Sequence, residues 1–154
     1  MEALLISACL MGFPCKYSGG SNALPREALD ALRRRWRLIP VCPETAGGLP
    51  VPREPGERQG ERVVSRSGRD VTAEFQRGAE TALRLAERFG ARCALLKSNS
   101  PSCGSGTIYD GSFTGVLVPG DGVAAELLKT RGIQVVGDWR ELPQPGEAPI
   151  MKNS

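Results

Sequence analysis

With 154 residues, 40% of them hydrophobic and 24% charged, the chain has the size and composition of one globular domain, which excludes a fibrous or wholly disordered polymer. A net charge of +3 and an aromatic share of 5% argue against an extended single-strand nucleic-acid platform, which needs exposed rings for base stacking. Histidine is absent, so the commonest metal ligand and general base is missing and the five cysteines become the main chemical resource.

Residues 3–8 (ALLISA) are a short apolar run of the kind that makes a buried parallel strand, and they lead straight into Cys9. A Gly- and Ser-rich loop follows. Pro25 to Trp36 reads as a helix, with Ser21 or Asn22 near its start and Ala28, Leu29 and Leu32 on one face. The cluster Arg33, Arg34, Arg35 and Arg37 reads as a solvated helix end. A second short strand, Leu38 to Val41, ends at Cys42. Residues 43–70, rich in Gly and Pro, are too long for a casual loop and too punctuated for a helix, so an ordered lid or flap is expected there.

Asp70-Val71-Thr72 opens the clearest helix of the chain. It runs to Phe89 with Phe75, Ala79, Ala82, Leu83 and Ala86 as its stripe and Gly90 as its stop. Residues 93–97 form a third apolar strand that runs into SNSPSCG. A last helix is expected from Gly122 to Arg131, with Leu127 and Leu128 inward, and a last strand from Ile133 to Val136. The expected domain covers residues 1–137, and residues 138–154 read as a polar C-terminal tail with little to bury. No apolar run approaches the ~20 residues of a membrane span, no targeting segment precedes the first strand, and an odd number of cysteines suits a reducing compartment. A cytoplasmic protein without a membrane partner is therefore expected.

Strands alternating with helices imply βαβ units, hence a single-domain, Rossmann-like, three-layer α/β fold with a mainly parallel sheet. Ligands of such sheets bind outside the carboxyl ends of the strands. Cys9, Cys42 and Cys103 each follow a strand and are expected to meet at that edge, whereas Cys93, at the start of an apolar strand, reads as a small core residue.

Thiols gathered at a strand edge without histidine point to a soft metal or to thiol chemistry. Structural zinc sites and thioredoxin-like redox pairs usually show a CxxC spacing, which is missing here. An iron-sulfur cluster tolerates scattered ligands, and three thiolates leave one iron open as a Lewis acid. Near these cysteines, Glu44 can shuttle a proton, and Ser100, Ser102 and the N–H groups around Cys103 can donate hydrogen bonds or simply cap their loop. Gly47 and Gly48 allow close backbone approach to a ligand. Two readings of another class stay open from the residues alone: a zinc or cluster module that binds partners or senses oxidants through Cys15, and a sulfur-transfer enzyme acting on tRNA.

The motifs SACLMGFPCKYSG, PVCPETAGGLPVPRE, GRDVTAEFQRGA, LKSNSPSCGSGTIYDGSFTG and GVAAELLKTRGIQVV, matching in series over about residues 3–137, resemble the thiouracil desulfurase (TudS-like desulfidase) family. Lys16 and Ser18 depart from its first motif, where Arg and Asp are more usual. The resemblance implies a 4Fe-4S enzyme that removes sulfur from 2-thiouracil, or a related thiolated pyrimidine, by a non-redox route. It implies Cys9, Cys42 and Cys103 as cluster ligands, Glu44 and Ser100 as acid/base and positioning residues, Ser102, Gly47 and Gly48 near the substrate, and Cys15 beside the cluster.

Overall fold

A computed structural model describes residues 1–144 of the chain. Strand β1 (Ala3–Ser7) is buried along its whole length and leads into a 3-10 turn at Ala8–Met11. Helix α1 (Arg26–Arg35) buries Ala28, Leu29 and Leu32, as expected, and places its terminal arginines at the surface. Pro25, not Ser21 or Asn22, occupies its N-cap. After β2 (Arg37–Val41) come a single helical turn, α2 (Pro43–Ala46), and the strands β3 (Gly56–Gln59) and β4 (Arg62–Ser65). Helix α3 (Thr72–Phe89) buries the expected stripe and ends at Gly90, whose positive φ of 67° closes the last turn. The chain continues through β5 (Cys93–Leu95), β6 (Thr107–Tyr109), β7 (Leu117–Pro119), α4 (Val123–Thr130) and β8 (Gln134–Val136) to a 3-10 turn at Trp139–Glu141.

Four strands form one parallel sheet in the order β2-β1-β5-β8. Alternation along β1 divides the core. Leu5 faces α3 and α4 through Ala82, Leu83, Ala86, Ala125 and Leu128, while Leu4 and Ile6 face Leu32 and Trp36 at the α1 end. Helices thus cover both faces of an all-parallel sheet, the three-layer α/β arrangement expected from the sequence.

Three features have physical reasons. Residues 43–70, expected as an ordered lid or flap, are built of regular elements. They hold α2 and the antiparallel β3–β4 hairpin, whose tight turn Gly60 makes at a φ of 63°. A second hairpin, β6–β7, begins within the fourth motif, at TIY, and ends before the last motif. The start of the expected polar tail packs down, since Trp139 and Leu142 cover the Leu4–Ile6 face. Residues 145–154 of that tail lie outside the described residues. Among the described residues no helix is long and apolar enough to cross a membrane.

Candidate active site

The carboxyl ends of β1, β2 and β5 point to the same rim, and the segments leaving them deliver the thiols. Cys9 lies in the 3-10 turn after β1, Cys42 directly follows β2, and Cys103 lies in the turn beyond β5. All three, together with Cys15, line one cavity of about 480 Å³. The expected meeting of Cys9, Cys42 and Cys103 at one sheet edge is what the structure shows, and Cys15 joins them. Cys93 is fully buried in the Leu4–Ile6 core cluster, as expected.

The thiols differ in their surroundings. The Cys103 sulfur is buried, accepts from Ser7 Oγ at 3.3 Å and lies 3.5 Å from Ser102 Oγ. Burial pushes its thiol up to about 12, against the opposing pull of the two hydroxyls. Cys15 is also pushed up to about 12, first by burial and then by the adjacent Cys42 and Cys9. Burial raises Cys9 as well, partly countered by the Asn22 side chain. Such thiols stay protonated at neutral pH, so they are poor nucleophiles and poor oxidant sensors until a metal displaces their protons.

No group of three or more Cys, Asp or Glu among the described residues is arranged to hold a single metal ion. A lone zinc would draw its sulfurs to within about 4 Å of one another, given a Zn–S bond near 2.3 Å. Four soft donors spread around a cavity, with no imidazole, fit a multi-iron cluster better than one ion.

The carboxylate beside them is fixed from two sides. Helix α2 carries Glu44 and docks on α3 through paired glycines: a Cβ at Gly47 would lie 1.8 Å from the Glu74 carbonyl oxygen, and one at Gly78 would lie 1.7 Å from that of Pro43. Glu44 Oε1 accepts from Arg53 Nε at 3.0 Å, and Oε2 accepts from Ser102 Oγ at 3.0 Å. Arg53 also donates to the carbonyls of Cys15 and Pro50. Ser102 Oγ stands 2.9 Å from Ser100 Oγ, which in turn accepts the N–H groups of Ser102 and Cys103 at 3.1 Å each. With both N–H groups spent on its oxygen, Ser100 donates its own proton to Ser102, giving a relay from Ser100 through Ser102 to Glu44.

These contacts show where the expected site residues stand. Ser100 reaches Glu44 only through Ser102, so the hydroxyl in direct contact with the carboxylate is that of Ser102. Gly47 and Gly48 do not line the cavity. Gly47 lets α2 touch α3, and Gly48 turns the chain after it at a φ of 101°. Three residues that line the cavity were not singled out by the sequence. Arg53 stood inside the quoted motif PVPRE with no sign of its partner. Ser7 reads as an ordinary strand residue, although its Oγ both donates to Cys103 and accepts from Lys97 N–H at 2.9 Å. Phe113 sits in a Gly- and Ser-rich loop that carries no periodic signal.

Comparison with known proteins agrees with this geometry. The sequence matches the 2-thiouracil desulfurase family over residues 4–138. YbbK of Bacillus subtilis (strain 168) is 39% identical over 145 residues, covering 88% of this chain and 95% of that one. A solved structure described as the [4Fe-4S]-dependent thiouracil desulfidase TudS superposes with a TM-score of 0.87 at 53% identity, covering 92% of this chain and 93% of the other. With its sheet, its rim of thiols and its sequence aligned along nearly the whole length, the chain belongs to the 2-thiouracil desulfurase family.

Proposed function

We propose that the protein is a thiouracil desulfidase: it binds a [4Fe-4S] cluster and hydrolyses the carbon–sulfur bond of 2-thiouracil or a related thiolated pyrimidine, releasing uracil and sulfide without net redox change. The observation that carries this reading is the convergence of four thiols and one doubly held carboxylate on a single cavity. Its support from relatives is the 53% identity to a protein described as a [4Fe-4S]-dependent thiouracil desulfidase.

Cys9, Cys42 and Cys103 would hold the cluster. Each comes from the end of a different one of three neighbouring strands, so together they surround the cavity rather than one side of it. The Cys103 sulfur already has one hydroxyl donor, Ser7, the support a ligating thiolate needs once it carries charge. Cys15 lies against Cys42, whose Sγ is 3.8 Å from the Cys15 carbonyl oxygen, and would stand beside the cluster rather than ligate it. When bound, such a cluster leaves one iron open and supplies a Lewis acid for the substrate's sulfur.

Glu44 takes a proton from water attacking the carbon that bears sulfur, and Ser102, backed by Ser100, holds that carboxylate and relays a proton to the departing group or ring nitrogen. Arg53 keeps Glu44 aimed. Atoms balance as thiouracil plus water giving uracil plus hydrogen sulfide, and no external electrons enter. The buried, reduced thiols suit a cytoplasmic enzyme.

The test is anaerobic reconstitution with iron and sulfide, followed by addition of 2-thiouracil. Uracil and sulfide should appear in equal amounts, and oxygen from labelled water should enter the uracil carbonyl. A protein with full iron content that releases neither product is not a desulfidase of this substrate.

A further inference from the structure

The cavity has a wall that the thiol chemistry does not explain. Phe113 lines it, at the tip of the β6–β7 hairpin, and holds a backbone φ of 60°. That left-handed conformation is strained for a bulky side chain and persists only where the surroundings impose it.

The imposing group is Glu57 of β3. Its carboxylate is buried, and one oxygen, Oε1, accepts the N–H of Gly111 at 3.0 Å and that of Phe113 at 3.1 Å. Gln59 Nε2 adds a bond to the Gly111 carbonyl at 2.8 Å. The two hairpins meet so closely that a Cβ on Gly111 would fall 2.7 Å from Gln59 Cγ and 3.0 Å from the Arg58 carbonyl oxygen. The loop is thus pinned from β3, and its strain is spent on where one aromatic side chain stands. Arg66, also on the cavity wall, lies 5.9 Å from the centre of the Phe113 ring and holds it from the other hairpin.

A flat pyrimidine ring offers hydrogen-bonding edges and also a π face, and stacking on a fixed aromatic face adds ring-selective binding. We propose that Phe113 is the aromatic wall on which the pyrimidine ring of the substrate stacks, and that Glu57 is the positioning residue that sets it there through the backbone of residues 111–113. The inference rests on the desulfidase reading and names residues that select the ring rather than act on its sulfur.

The experiment uses reconstituted holoprotein and two readouts: KM and kcat for 2-thiouracil, and the dissociation constant of uracil by titration calorimetry. Uracil has no sulfur, so its binding reports contacts to the ring. Phe113→Leu keeps the bulk and loses the π face. It should weaken uracil binding and raise KM on the order of tenfold, with kcat unchanged, while Phe113→Trp stays close to wild type. Glu57→Ala should reproduce the Phe113→Leu phenotype, and Glu57→Gln, which keeps a carbonyl oxygen to accept both N–H groups, should restore wild-type binding.

If wild type binds uracil and turns over 2-thiouracil but Phe113→Leu matches it in both readouts, the stacking wall is overturned and the desulfidase reading stands. If Glu57→Ala binds uracil as wild type does, the positioning role is overturned. If iron-loaded wild type neither binds uracil nor releases sulfide, the functional reading fails and the inference falls with it.

Discussion

Arg53 and Glu44, nine residues apart, form an ion pair with only 7% and 15% of their side chains exposed, Nε to Oε1 at 3.0 Å. The same guanidinium binds the carbonyl of Cys15, so one side chain links the segment bearing the carboxylate to the segment bearing a thiol. Removing it strands a carboxylate in a poorly hydrated site. Arg53→Met is expected to cost about 3 kcal/mol of stability, seen as a lowered Tm, and to reduce kcat. Adding Glu44→Gln should recover part of the lost Tm because it removes the unpaired charge.

Glu44→Gln by itself keeps the size and the hydrogen-bonding shape of the side chain and loses its basicity. Turnover is expected to fall about 100-fold or more, while iron content and the visible absorbance of the cluster persist. Near-wild-type kcat in this variant would remove Glu44 from the proton-transfer role.

Gly78 decides whether α2 can dock. An added methyl would meet the Pro43 carbonyl oxygen at 1.7 Å, and neither the backbone of α3 nor that of α2 is free to give way. Gly78→Ala is expected to destabilise the fold by about 1–3 kcal/mol and to lower kcat as well, because α2 carries Glu44. Thermal unfolding and initial rates measured on the same preparation check both effects. A fall in Tm with kcat intact would show that the docking of α2 does not aim the carboxylate.

Asp70 prepares the start of α3. Its carboxyl is held down to about 2, first by the Thr72 hydroxyl and backbone N–H and then by Arg62. Because the folded value lies below the ordinary 3.8, the ionised form favours folding. That contribution is fully present above pH ~4 and is lost as the pH falls through ~2. The Tm gap between wild type and Asp70→Asn should therefore be constant at neutral pH and close over that acid window. Acid removes labile sulfide from both chains alike, so the gap is the readout. A gap that is the same at pH ~2 as at pH ~7 would mean that the charge of Asp70 is not what stabilises the helix start.

The parts legible in the sequence were those written as period or punctuation. The α3 stripe from Phe75 to Ala86, its stop at Gly90 and the apolar run of β1 follow from spacing alone, and the strand–helix alternation then put the cysteines at one rim. The β3 and β6 strands, GERQ and TIY, are too short to alternate and pair mainly with the strand that follows each hairpin turn, so nothing in their composition announces them. Gly47 and Gly48 look alike in sequence as conformationally free residues. In the structure one touches Glu74, the other turns the chain at a positive φ, and neither lines the cavity. Arg53 and Glu44 find each other only after the chain reverses beyond α2, and the Ser7–Cys103 contact spans 96 residues. Relations of that kind are made by tertiary packing and leave no local trace.

The central claim is that three thiols from three neighbouring strands hold one four-iron cluster while Cys15 stands aside. Iron and acid-labile sulfide content, measured on anaerobically reconstituted wild type and on the single Cys9→Ser, Cys15→Ser, Cys42→Ser and Cys103→Ser variants, tests it directly. The account expects about four irons and four sulfides per chain in wild type and in Cys15→Ser, with large losses in the other three. A full complement in Cys103→Ser alongside its loss in Cys15→Ser, or zinc without sulfide in the wild type, would contradict it.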